Sequence, residues 1–79
     1  MEQPVSEILV DARGHRCPVP TLRLRRAMEA APAGAVVRLL ADDPMARVDV
    51  PHFAREKAYV VTDAGETDGS LFFVVSKPA

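Results

Sequence analysis

The chain has 79 residues, room for one domain over residues 1–79. A domain of that length buries about 60% of the surface its unfolded chain exposes, which excludes a large enclosed active site and puts any chemistry on a loop or at the end of an element. With 48% hydrophobic residues, 27% charged residues and a net charge of −1, the composition is that of an ordinary globular domain with no global basic signature for nucleic acid.

The opening residues Met1 to Glu7 are acidic and polar and lack the basic segment and apolar core of a signal peptide, so the expected compartment is the cytoplasm. No apolar run is long enough to cross a membrane. Ile8-Leu9-Val10 is a short β-branched run, read as strand one. The stretch Asp11 to Cys17, with Gly14 inside it, reads as a loop. Pro18 and Pro20 fit the first turn of a helix, whose N–H groups have no intrahelical partner. Good helix formers follow, so helix one is expected over Pro18 to Ala30, with Leu24, Ala27, Met28 and Ala31 on its core face. Pro32-Ala33-Gly34 ends it.

Val36 to Ala41 is a nearly continuous apolar run, expected as a strand buried in the sheet. Asp42-Asp43-Pro44 reads as an N-cap and first turn, opening a second helix that runs to about Glu56 with Ala46, Val50, Phe53 and Ala54 inward. Pro51 either kinks that helix or restarts it with Asp49 as a second cap. Tyr59 to Asp63 is strand three, Gly65 to Gly69 a loop, and Leu71 to Ser76 strand four, the last pair forming a hairpin. The order β-α-β-α-β-β predicts an α/β protein: a two-layer α/β sandwich with a four-stranded mixed sheet, parallel pairing of the first two strands and both helices on one face. Both helix N-termini then open on the edge beyond the carboxyl ends of the strands, where sheets of this type place ligands. Cys17 and the Asp42-Asp43 pair both fall there.

The chain has one cysteine, so an intramolecular disulfide is impossible and a zinc site built on cysteines nearly excluded. Five of the ten Lys and Arg residues (Arg13, Arg16, Arg23, Arg25 and Arg26) crowd into a segment without an acid, and Cys17 lies inside it. At or beside the N-cap of helix one, Cys17 is expected to be exposed. The helix dipole, with Arg13, Arg16 and His15 nearby, is expected to lower its ionisation threshold. One thiol excludes the two-cysteine oxidoreductase mechanism, which needs a resolving thiol, but suffices for a carrier that accepts sulfane sulfur as a persulfide and hands it on.

The segment Asp11-Ala12-Arg13-Gly14-His15-Arg16-Cys17-Pro18-Val19-Pro20 resembles the signature of the TusA/SirA-like sulfur-carrier family: an Asp, then a Gly, then Cys-Pro-x-Pro at the start of the first helix. Ala41-Asp42-Asp43-Pro44 and Asp49-Val50-Pro51-His52-Phe53 match a second region of it, and the likeness runs from about Ile8 to Lys77. The chain departs from the pattern at His15, where the family usually has an aliphatic residue, at Val48, often an arginine, and at Ala54, in some members a second cysteine. The resemblance implies a sulfurtransferase whose carrier is Cys17, with Asp11, Gly14, Pro18 and Pro20 shaping its loop and no cofactor. It implies a cysteine desulfurase or other sulfane-sulfur donor and an acceptor sulfur-relay protein as partners. The pathway it implies is tRNA thiolation, sulfur oxidation or cofactor biosynthesis.

Arg13, His15, Arg16, Val19, Leu22, Arg23 and Arg26 are the candidates for docking those partners, through charge and two apolar contacts. Arg25 and Glu29 are spaced to pair along the helix. A metal site from His15, Cys17 and Asp11 matches no standard spacing. Direct nucleic-acid binding is not expected, because Phe72 and Phe73 alternate on a strand and leave at most one stacking face. The expected state is a monomer that forms transient complexes. The competing reading is a regulatory or interaction module that uses the basic face of helix one to bind protein or RNA without sulfur transfer.

Overall fold

The computed structural model describes residues 7–78; the polar start Met1 to Ser6, on which the expected compartment rests, lies outside the described residues. The elements follow in the expected order: β1 (Glu7–Asp11), α1 (Val19–Ala30), β2 (Val36–Ala41), α2 (Ala46–Glu56), β3 (Val60–Thr67) and β4 (Ser70–Ser76). They form one mixed four-stranded sheet in the order β1-β2-β4-β3. β1 runs parallel to β2, with Val10 opposite Leu39, and β4 runs antiparallel to both β2 and β3.

Both helices cover the same sheet face. Leu24 and Met28 of α1 and Val50 and Phe53 of α2 join Val10, Val37, Leu39, Phe73 and Val75 of the sheet in one hydrophobic cluster. Ala31 and Ala54 are buried as the periodicity predicts, and Ala27 packs partly buried against the cluster. β2 takes an interior position in the sheet, between β1 and β4, as expected, but only one of its faces is fully buried. Its residues alternate between buried and half-buried, because helices cover only one side of the sheet. Phe73 points into the core, and Phe72 lies on the other side, where the Arg38 guanidinium sits 5.3 Å from its ring centroid.

Two element boundaries, at α2 and β3, differ clearly from the sequence reading, and the alternative left open at Pro51 is decided. α2 starts at Ala46 rather than at Pro44, after a tight turn in which the Ala46 and Arg47 N–H groups donate to the Asp43 and Pro44 carbonyls. Pro51 sits inside α2, which continues through it without a second cap at Asp49. β3 extends to Thr67, so the expected Gly65–Gly69 loop shrinks to a two-residue turn at Asp68 and Gly69, with φ of 54° and 80°. Two successive positive φ values match the right-handed twist of the flanking strands, which is why an Asp-Gly pair closes this hairpin.

The C-terminal carbonyls of α1 are capped from a distance. The half-buried Lys77 ammonium donates to the Met28 carbonyl at 2.9 Å and to that of Ala31 at 2.7 Å. Lys77→Met keeps the stem and removes both charged donors. It is expected to cost about 1–3 kcal/mol, and a loss of that kind lowers the melting temperature by about 4–8 °C per kcal/mol in a domain this size. An unchanged melting curve would mean that water replaces the lysine without loss.

Candidate active site

The loops that follow β1 and β2 leave the sheet side by side, because the two strands are parallel neighbours. Backbone pairing continues past the strand end, where the Ala12 N–H donates to the Leu40 carbonyl at 2.8 Å. The β1–α1 loop then turns through Gly14, whose φ of 85° lies in the left-handed region that glycine enters without steric cost. The Gly14 N–H donates to the Asp42 carboxylate, 3.0 and 3.1 Å from its two oxygens. Three residues later the Cys17 N–H donates to the Asp43 carboxylate at 2.9 Å. The other oxygen of Asp43 accepts the Met45 N–H at 2.9 Å, so one carboxylate serves both the cysteine loop and the turn that opens α2.

Asp11 organises the near side of the loop. Its carboxylate accepts the Arg13 N–H at 3.1 Å, Nε at 2.9 Å and Nη2 at 2.7 Å, and its carbonyl accepts Arg23 Nη1 at 2.8 Å. The hydrogen bonds from Arg13 hold the Asp11 carboxyl down to about 2. A carboxyl lowered in the folded state stabilises the fold fully above its ordinary value of 3.8, and that contribution fades as pH falls toward about 2. An NMR titration of the Asp11 side chain should find its midpoint near that lower value. A midpoint at the ordinary carboxylate value would contradict the Arg13 pairing.

α1 begins at Val19, with Pro18 in the N-cap position and no side-chain cap, and the Cys17–Pro18 peptide is cis. Pro20 is fully buried in the first turn. Cys17 therefore precedes the cap, half-buried rather than exposed. Its thiol is not acidified, contrary to the sequence expectation. Burial pushes it up to about 12, aided by a hydrogen bond to the Asp49 carboxylate and by the negative charges of Asp49 and Asp43. The arginines close to it in sequence do not offset this. Arg13 is paired with Asp11, Arg23 reaches the Asp11 carbonyl and Arg25 is paired with Glu29 at 3.1 Å. Arg16 acts on Asp43, whose carboxyl is held below its usual range by the Met45 and Cys17 N–H groups and by that arginine.

The predicted docking residues divide among three surface depressions. Val19, Leu22, Arg23 and Arg26 line a shallow groove of about 400 Å³ along α1, together with Arg25 and Glu29. Leu22 is 53% exposed and Val19 36%, which leaves two apolar contacts standing among the arginines. His15 and Arg16 line a second hollow with Gly14, Asp42 and Asp43. Arg13 lies apart from both, in a cleft with Arg38 and Phe72 on the open side of the sheet. Among the described residues, no group of three or more His, Cys, Asp or Glu is arranged to hold a metal ion, and no helix is long and apolar enough to cross a membrane.

A family model described as "Sulfurtransferase TusA" matches residues 8–77. The chain belongs to the TusA family. It is 39% identical over 67 residues to a putative sulfur carrier protein of Archaeoglobus fulgidus, covering 84% of this chain and 87% of that one. It is 31% identical over 68 residues to the sulfur carrier protein TusA of Allochromatium vinosum, covering 86% and 90%. The crystal structure of a SirA-like protein from Desulfitobacterium hafniense superposes with a TM-score of 0.81 at 30% identity, covering 91% of this chain and 99% of that one. The TusA family assignment and the α/β fold read from the sequence both stand, and a sulfur-carrier role comes with the family.

In this TusA-family chain, Asp42, Asp43 and Asp49 surround the cysteine loop; Asp42 and Asp43 lie at the same edge as Cys17, as the topology predicts, but they bind the loop amides in addition to the capping role read from the sequence. Asp43 does cap the turn before α2, through Met45. The available signal was topological: two parallel βα units bring the residues after β1 and after β2 to one edge, and acids there can bind the amides of the neighbouring loop.

Proposed function

We propose that this protein carries sulfane sulfur as a persulfide on Cys17 and relays it between proteins. The observation that carries this reading is the placement of the chain's only cysteine. It lies in an anchored loop at the sheet edge, in a chain of the TusA family, at the start of a helix whose exposed side carries an arginine-lined groove. In the loading step, the Cys17 sulfur attacks the terminal sulfur of a donor persulfide. A new S–S bond forms as the donor's S–S bond breaks, and the proton leaving Cys17 is balanced by one taken up by the departing donor thiolate. In the unloading step, an acceptor thiolate attacks the terminal sulfur, and the Cys17 sulfur leaves and recovers its proton. Neither step consumes an oxidant or a cofactor.

Asp11 and Gly14 shape the loop by accepting and donating its hydrogen bonds, and Pro18 and Pro20 fix its entry into α1. Val19, Leu22, Arg23 and Arg26 are a docking surface along α1, suited to a partner with acidic and apolar side chains. His15 and Arg16 extend that surface on the other side of the loop. The donor is a cysteine desulfurase or another protein persulfide, and the acceptor a sulfur-relay protein. Incubation with a cysteine desulfurase and radiolabelled cysteine tests the carrier role. Label should appear on the protein and be released by dithiothreitol; absence of label with several desulfurases and with a chemical sulfane donor would overturn the reading.

A further inference from the structure

We propose that Asp43 is the positioning residue of the carrier sulfur, holding the Cys17 backbone in register with the first turn of α2. The proposal rests on the carrier reading for its purpose, but its geometry is independent of it. One oxygen of Asp43 accepts the Cys17 N–H at 2.9 Å and the other accepts the Met45 N–H at 2.9 Å. The two donors come from segments 26 and 2 residues away. The two amide donors approach opposite oxygens of this side chain, so in this geometry each needs its own acceptor atom. A carboxylate supplies both, whereas an asparagine offers one oxygen and turns an NH₂ group toward the other donor. Asp42 anchors the same loop at Gly14, so the cysteine segment is tied at two points and Cys17 is the point nearer the sulfur. The Pro18 nitrogen carries no hydrogen, and the next backbone donor, the Val19 N–H, turns back to the Arg16 carbonyl at 2.9 Å. The Asp43 bond is therefore the hydrogen bond that ties the Cys17 backbone to the rest of the fold, while its thiol faces Asp49 of α2. The charged groups facing the sulfur are Asp49 from α2 and Asp43 from the β2–α2 loop, with Arg16 acting on Asp43.

The test compares wild type, Asp43→Ala and Asp43→Asn in the intact chain. Amide hydrogen exchange is read at Cys17 and Met45, iodoacetamide alkylation of Cys17 is followed across pH, and sulfur transfer is measured from a persulfide donor. Asp43→Ala should raise exchange at both amides about tenfold or more, as expected when a hydrogen bond worth about 1.4 kcal/mol is lost. It should also move the alkylation midpoint to lower pH, because an anion near the sulfur is gone, and slow sulfur transfer about tenfold. Asp43→Asn should leave one of the two amides protected, and it serves as the test if the alanine variant does not fold. A folded variant in which the Cys17 amide stays protected would overturn the proposal. So would one in which that amide is freed while the alkylation profile and the transfer rate stay at wild type. If wild type itself takes up no sulfur, the carrier reading fails, and amide exchange with alkylation still decides whether Asp43 positions Cys17.

Discussion

Free Cys17 is expected to alkylate on the order of 30- to 60-fold more slowly than an unperturbed thiol at about pH 8. Burial and the Asp49 and Asp43 carboxylates move its ionisation from 9.0 to about 12, which lowers the thiolate fraction at that pH about a thousandfold. The more basic thiolate is intrinsically more nucleophilic, with a Brønsted slope of about 0.4–0.5, and this recovers part of the loss. Asp49→Asn removes the closest anion and is expected to speed alkylation by about threefold to tenfold at the same pH. The sign for stability follows from the same shift. A thiol raised in the folded state stabilises the fold fully below its ordinary value, and the contribution is lost as pH rises toward about 12. Pseudo-first-order alkylation rates across pH, in wild type and Asp49→Asn, read all of this. A wild-type midpoint at the ordinary thiol value would contradict the carboxylate environment.

Cys17→Ser is expected to abolish sulfur loading and leave the fold in place. The chain has no second cysteine to substitute for it, and a serine hydroxyl does not form a persulfide. The side chain lies outside the hydrophobic cluster, in a loop held by its backbone, so the change in stability should stay within about 1 kcal/mol. Serine keeps the N–H that donates to Asp43. Loss of loading together with a wild-type melting curve is the expected pair of results. Loading retained by a folded Cys17→Ser protein would place the carrier elsewhere.

Much of this architecture is legible because local signals agree with one another. The helical spacing of Leu24, Met28 and Ala31 and of Ala46, Val50 and Phe53 marks the faces that meet the sheet. The βα repeat at the N-terminal end marks β1 and β2 as parallel neighbours. Boundaries are harder to read where a residue serves two structures. Gly65 reads as loop but lies in β3 opposite Phe72, and Asp68-Gly69 alone makes the turn. Pro44 reads as the first helical residue, yet the turn through Met45 precedes α2.

The electrostatics of Cys17 were not legible, and the reason is specific. The residues adjacent in sequence are arginines, but Arg13 and Arg23 are drawn to Asp11. The residues adjacent in space are Asp43 and Asp49, 26 and 32 positions along the chain and brought in by the second βα unit. The helix N-terminus that was expected to acidify the thiol starts two residues later, behind a proline cap. A charge count along the chain sees only the first group.

The measurement that bears most directly on the carrier role is site-resolved mass analysis of the protein after incubation with a cysteine desulfurase and cysteine. The account predicts that the peptide containing Cys17 gains the mass of one sulfur atom, that the gain maps to Cys17, and that dithiothreitol reverses it. An unmodified Cys17 peptide under conditions that load another carrier, or added sulfur mapped to any other residue, would contradict it.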